Sequence, residues 1–178
     1  MRREGLESCQ IGKTGPVRDW LVGGAVIETD GCLLLVCNQR RDGRLDWSPP
    51  GGVIDEGEAL IDGLTREVIE ETGLVVAEWR GPVYEIVAEA PDMGWRLRVE
   101  AHQALVVSGV MLIDDPDGIV VDAKHVERPE AEQLLGDGAP WVREPLLEFL
   151  DERWRGTRTF RYRIDGTDVR SLEVSRLD

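Results

Sequence analysis

Three glutamates, Glu67, Glu70 and Glu71, recur at a spacing that puts them on one side of a helix. At about 100° per residue they share an arc roughly 100° wide. Like charges so placed repel one another and weaken the helix that carries them. A hard divalent cation removes that repulsion, because Mg2+ or Mn2+ takes oxygen ligands and commonly combines a few carboxylates with substrate phosphates. Glu71 makes a second demand. Leu60, Ile61, Leu64 and Val68 form an apolar stripe on the same stretch, and Glu71 projects at its edge. A carboxylate there is partly desolvated and needs a partner, a metal or a raised pKa. The plain alternative is a solvated acidic face in an acidic protein.

The elements around these glutamates decide between the two. A Pro49-Pro50-Gly51-Gly52 turn precedes them, Glu58 follows in a loop, and a helix spans about Ala59 to Thr72 with Gly73 as its stop. The turn can bring the Gly51 carbonyl to the acidic helix as a further oxygen. Arg66, four residues before Glu70, can pair with it. Gly63 inside the helix suggests close approach by another element. Arg40, Arg41 and Arg44 lie just upstream and can contact phosphates, or form a solvated hairpin tip around Asp42-Gly43. Trp47 can stack a flat ring or close the core as a half-buried aromatic, and Trp95 is a second stacking candidate.

The spacing from Gly52 to Glu58, on to Arg66-Glu67-Val68, then Glu70-Glu71 and Gly73-Leu74, resembles the signature of the Nudix hydrolases at each of its specified positions. The resemblance implies a three-layer α/β/α sandwich around a mixed β-sheet. It implies cleavage of a diphosphate linkage in a nucleoside diphosphate derivative, with Mg2+ or Mn2+ as cofactor. Glu67, Glu70, Glu71 and the Gly51 carbonyl are then the metal ligands. Glu71, Glu70 and Arg66 are the catalytic residues, with Arg66 orienting the glutamates and Glu58 bracing the loop. Arg40, Arg41 and Trp47 are the substrate-binding candidates. Relatives take the general base from a box glutamate or from a later loop. Here Glu71 is preferred, and Asp117, Asp122, His125, Glu127 and Glu130 are the others. Two substrate classes stay open, a nucleoside triphosphate and an ADP-ribose-type compound. Relatives of the second kind carry a proline at a fixed distance past the box, and Pro91 falls slightly late. A catalytically silent ligand sensor of the same fold is the non-enzymatic alternative. Such proteins frequently lose box glutamates, and this chain keeps them.

Composition narrows the setting. The 178 residues fit one domain, and 42% hydrophobic with 31% charged residues fit a globular protein. The formal charge of −14 argues against a nucleic-acid binder, which needs Lys and Arg against phosphates. A phosphate-bearing small substrate remains compatible if a metal supplies positive charge locally. No apolar run reaches the length of a membrane span, and the N-terminus lacks the apolar core of a secretory signal. Cys9, Cys32 and Cys37 are odd in number and lack zinc-type spacing, so a reducing, cytoplasmic location is expected.

Along the chain, residues 1–17 read as a loosely held arm, residues 18–156 as the hydrolase domain and residues 157–178 as a C-terminal hairpin. Strands are expected over Trp20–Ile27 and Leu33–Cys37, joined by an Asp30-Gly31 turn into one hairpin of a central sheet. Further strands are expected within 75–89 and 96–107, with a turn at Pro91–Gly94, and a short one at 119–121. A short helix opens at Pro129, and an amphipathic one lies within 141–154 with its regular part starting at Pro145. In the terminal hairpin Phe160, Tyr162 and Ile164 alternate with arginines, so their face must be covered. A second copy, giving a homodimer, and the 141–154 helix of the same chain are equal candidates to cover it.

Overall fold

The computed structural model describes residues 17–168 and 171–178; all but the last residue of the expected arm, and Cys9 with it, lie outside the described residues. Among the described residues, two sheets and three α-helices make up the fold. Strands β1 (Arg18–Val26), β6 (Trp95–Gly109), β5 (Leu74–Ala90), β8 (Arg158–Asp165) and β9 (Glu173–Arg176) lie side by side in that order. This sheet is mixed, with β1 parallel to β6, β6 antiparallel to β5, β5 parallel to β8 and β8 antiparallel to β9. The smaller sheet centres on β3 (Cys32–Gln39), which pairs antiparallel with β2 (Glu28–Thr29), β4 (Leu45–Ser48) and β7 (Val120–Val126).

Helix α1 (Leu60–Thr72) packs on the outer face of the large sheet. Leu64 approaches β1 so closely that a Cβ on Gly23 would stand 3.0 Å from its own Cβ. Leu64 and Val68 meet Ala25, Ile27, Leu34 and Ala104 in one apolar cluster. Gly73, with φ 72°, stops the helix in the left-handed region. The inner face of the large sheet carries the main core, where Tyr84, Ile86, Phe160 and Tyr162 pack against Leu33 and Leu35 of β3. Helices α2 (Arg128–Leu135) and α3 (Pro140–Glu152) close that core with Leu135, Leu146 and Phe149. The layers are thus helix, sheet and helix, with the small sheet beside α2 and α3.

Three expectations need correction. The first two long strands do not form one hairpin of one sheet. Only the Ile27–Thr29 end bonds to Cys32–Leu34, while β1 runs parallel to β6 in the other sheet. The reason is that both edges of β1 are taken, one by β6 and one by the Pro50–Ile54 segment. Second, the strand expected at 119–121 continues to Val126, because β3 pairs with it from Asn38 to Leu33. Its charged Asp122 and Lys124 mask it in the sequence. Third, α3 begins at Pro140 rather than Pro145. Proline at the first helical position loses an N–H that has no partner there, and Pro145 is accommodated within the helix as a buried residue.

The terminal hairpin extends the large sheet. Phe160, Tyr162 and Ile164 are buried at 2%, 1% and 0% exposure, so this chain itself covers their face. The Tyr162 hydroxyl donates to Glu144 of α3 at 3.0 Å. Cys32 and Cys37 are both free thiols. Among the described residues, no helix is long and apolar enough to cross a membrane.

Candidate active site

The turn before α1 is built as a false strand on the free edge of β1. Ala25 N–H donates to Pro50 O at 2.8 Å, Gly23 N–H to Gly52 O at 3.0 Å, and Ile54 N–H to Leu21 O at 2.9 Å. Because alternate residues of an extended segment face opposite ways, Gly51 turns away from β1 and toward α1. Its N–H donates to Glu71 Oε2 at 2.8 Å. Both glycines are sterically required. Gly51 has φ 139° and no room for a Cβ beside the Gly23 carbonyl, and a Cβ on Gly52 would overlap the Glu67 carboxylate.

Arg66 ties the acidic face together. Its Nε and Nη2 reach Glu58 Oε1 and Oε2 at 3.2 and 3.0 Å, while Nη1 reaches Glu67 Oε1 at 2.8 Å and Glu70 Oε2 at 3.2 Å. The fork geometry of a guanidinium suits it to hold two carboxylates on one side and a bidentate partner on the other. Glu58 also accepts the Asp55 N–H at 3.2 Å and so fixes the loop to the helix. Its carboxylate lies against Gly63, where an added Cβ would stand 2.6 Å from Oε2, which accounts for that glycine.

Glu71 is 8% exposed. Burial raises its pKa to about 8, and the charges of Glu67, Asp115 and Glu70 push the same way, against the lowering effect of the Gly51 N–H. Glu67 is raised too, first by burial, with Glu70 and Asp117 adding to it and Arg66 opposing. Asp115 and Asp117 come from a loop clipped to the end of α1: Leu112 N–H donates to Thr72 O at 2.9 Å and Asp114 N–H to Glu70 O at 3.2 Å. Asp115 organises that loop by accepting the N–H groups of Asp117, Ile119 and Val120 at 3.0, 2.7 and 2.8 Å.

A cavity of about 170 Å³ opens beside Gly51, on the inner face of the large sheet. Leu97, Val99 and Tyr84 line one side, Trp141 of α3 another, and Arg40 stands at its edge. Arg40 is held there by Asp46, at 2.6 Å from Nε to Oδ2 and 2.8 Å from Nη2 to Oδ1.

The sequence candidates separate accordingly. Glu67, Glu70, Glu71, Arg66, Glu58 and Gly51 meet, though Gly51 presents its N–H, rather than its carbonyl, to Glu71. Arg40 reaches the cavity, whereas Arg41 sits exposed at the tip between β3 and β4. Trp47 packs on the main core with Lys124 over its ring, 4.9 Å from the centroid, and Trp95 also packs on that core. His125, Glu127 and Glu130 line a different depression, with Cys32. Trp141, Tyr84 and Asp46 were not singled out from the sequence. Tyr84 shows there only as an inward position in the alternation Tyr84-Glu85-Ile86.

Among the described residues, no group of three or more His, Cys, Asp or Glu side chains stands gathered as a ready-made ion cage. Glu67 and Glu70 are instead turned onto Arg66. The donor chemistry nevertheless suits a hard divalent ion. The carboxylates are close enough for Glu67, Glu70 and Asp115 to raise the pKa of buried Glu71, so a cation there relieves a repulsion that the fold itself creates.

This fold and this site define a class. The model of the NUDIX domain matches residues 18–149, and the chain belongs to the Nudix family. It is 41% identical over 61 residues to a MutT-like protein of Streptomyces ambofaciens, covering 34% of this chain and 38% of that one. It is 37% identical over 68 residues to an RNA pyrophosphohydrolase of Dinoroseobacter shibae, covering 38% and 39%. The matches thus span about two-fifths of the length of these relatives. A crystal structure of the MutT protein from Bacillus halodurans superposes with a TM-score of 0.59 at 19% identity, over 88% of this chain and 97% of the other.

Proposed function

We propose that this chain is a metal-dependent pyrophosphohydrolase that cleaves the diphosphate linkage of a nucleoside diphosphate derivative. The carrying observation is the buried Glu71, held by the Gly51 N–H on the same face as Glu67 and Glu70, beside a cavity sized for an organic group. Glu67, Glu70 and Glu71 would hold Mg2+ or Mn2+, together with the Gly51 carbonyl. Such an ion would neutralise phosphate oxygens and lower the pKa of water.

The chain's own residues do the rest. Arg66 orients Glu67 and Glu70, and Glu58 fixes Arg66. The Gly51 N–H sets the direction of the Glu71 carboxylate, so one oxygen is fixed and the other is left to take a proton from water as general base. The elevated pKa of Glu71 suits that role near neutral pH. Arg40, held by Asp46, gives positive charge at the cavity mouth. The substrate is a small nucleotide, a nucleoside triphosphate or an ADP-ribose-type compound. The charge of −14 disfavours nucleic acid as a partner. The reducing, cytoplasmic location remains part of this reading, without membrane attachment. A homodimer remains the candidate assembly, and the apolar face of the terminal hairpin, which this chain covers, is not its contact.

A panel of nucleoside diphosphate derivatives with Mg2+, scored for the phosphate species released, tests this. Hydrolysis abolished by EDTA is the expected result. Binding without turnover across the panel would favour the silent sensor instead.

A further inference from the structure

The chain contains two tyrosines, Tyr84 and Tyr162, and it treats their hydroxyls differently. Tyr162, 1% exposed, donates to Glu144 at 3.0 Å. Tyr84, 3% exposed, lines the cavity beside Gly51, and no group among the described residues hydrogen-bonds its hydroxyl. Burial is the one influence on its pKa, which it raises, so the phenol stays a neutral donor. Facing the open cavity, that hydroxyl is free to meet a ligand. The ring cannot swing away to find a partner. Phe149 and Phe160 hold it with centroids 6.2 Å distant, the second edge-on at 90°.

Two other polar side chains at the cavity are partly engaged. Arg40 is tied to Asp46, and Ser48 Oγ accepts the Nδ2–H of buried Asn38 at 2.9 Å. Leu97, Val99 and Ile86 supply apolar wall, and Trp141 a flat one. Such a cavity, mostly apolar with a few polar groups, is the usual form of a small-molecule site. Its size is restrictive. A cavity of about 150 Å³ holds one benzene ring, so about 170 Å³ admits a single six-membered ring and leaves little room for a fused pair.

We propose that Tyr84 selects the organic group of the substrate, donating its hydroxyl hydrogen to an acceptor on a single planar ring of pyrimidine size seated against Trp141. The inference rests on the functional reading above for the position of the diphosphate at the Gly51 turn. The ring's carbonyl oxygen or unprotonated ring nitrogen is the acceptor. A bicyclic base would extend beyond the walled part of the pocket, which opens to solvent.

The test pairs turnover with binding. Wild type and Tyr84→Phe are assayed with CTP, UTP, ATP and GTP in Mg2+, and CMP and AMP binding is measured calorimetrically, where no hydrolysis is involved. Wild type should favour the pyrimidine triphosphates in kcat/KM by about tenfold or more. Tyr84→Phe keeps the ring packing and should melt like wild type. It should raise the pyrimidine KM about fivefold, as for one neutral hydrogen bond, with kcat changing less. CMP should bind wild type more tightly than AMP, and the variant should lose that margin. If no triphosphate is cleaved, the triphosphate branch of the functional reading fails, and the calorimetry still decides this inference. CMP binding no tighter than AMP, or equally well to both proteins, overturns it.

Discussion

Gly51 and Glu71 are joined by a 2.8 Å hydrogen bond from backbone amide to carboxylate. The bond fixes the one buried acid of the site to a turn that β1 holds in place through Gly23 and Ala25. Site geometry therefore depends on the sheet edge as much as on the helix.

Neutralising the acids tests the site directly. Glu70→Gln and Glu71→Gln keep side-chain shape and remove charge. Each should lower kcat/KM by two or more orders of magnitude, a loss typical of removing a catalytic ligand or base, with the circular-dichroism spectrum retained. Wild-type turnover in both variants would refute the assignment.

Glu71 also sets a pH dependence of stability. Between about 4.5 and about 8 the folded protein keeps a proton on Glu71 that the unfolded chain has lost. The unfolded state then binds fewer protons, so stability falls as pH rises through that window. In EDTA the melting temperature should drop from pH 5 to pH 8, and millimolar Mg2+ should restore much of it at pH 8 by binding the folded state. A metal-free melting temperature that rises over this range contradicts the buried Glu71.

Arg66→Ala removes the shared partner of Glu58, Glu67 and Glu70. Arg66 is about one-third exposed, so solvent screens part of the effect, and a loss of about 1–2 kcal/mol is expected. Differential scanning calorimetry measures it. A loss below about 0.3 kcal/mol would mean that the network is solvated decoration.

The terminal hairpin should behave as core. Phe160 is 2% exposed, and Phe160→Ala should destabilise by about 3–5 kcal/mol in chemical denaturation. Truncation after Gly156 removes β8 and uncovers the β5 edge at Tyr84–Glu89. The truncated chain should lose its cooperative unfolding transition, and a truncated protein that melts like the full chain would refute this.

Local signals carried part of this structure. The helix from Leu60, its stop at Gly73 and the shared face of its glutamates follow from residue types and a 3.6-residue period. β3 was readable because six of its residues are buried on both faces. The partners of β1 were not, since pairing with β6 joins residues far apart in sequence, such as Val22 and Val99. The cavity was illegible for the same reason: Tyr84, Leu97 and Trp141 come together only through the sheet and α3. Trp47 could be assigned to core or site only once Lys124 and α2 were in place around it.

The Pro50–Ile54 segment lies along β1 at the margin of the large sheet. An exposed margin of this kind recruits strands from other molecules. The Pro50–Ile54 turn covers that edge, and a substitution that frees it should lower solubility along with the proposed activity. A change at the glycines of this turn should then show in two phenotypes at once, only one of which an enzyme assay detects.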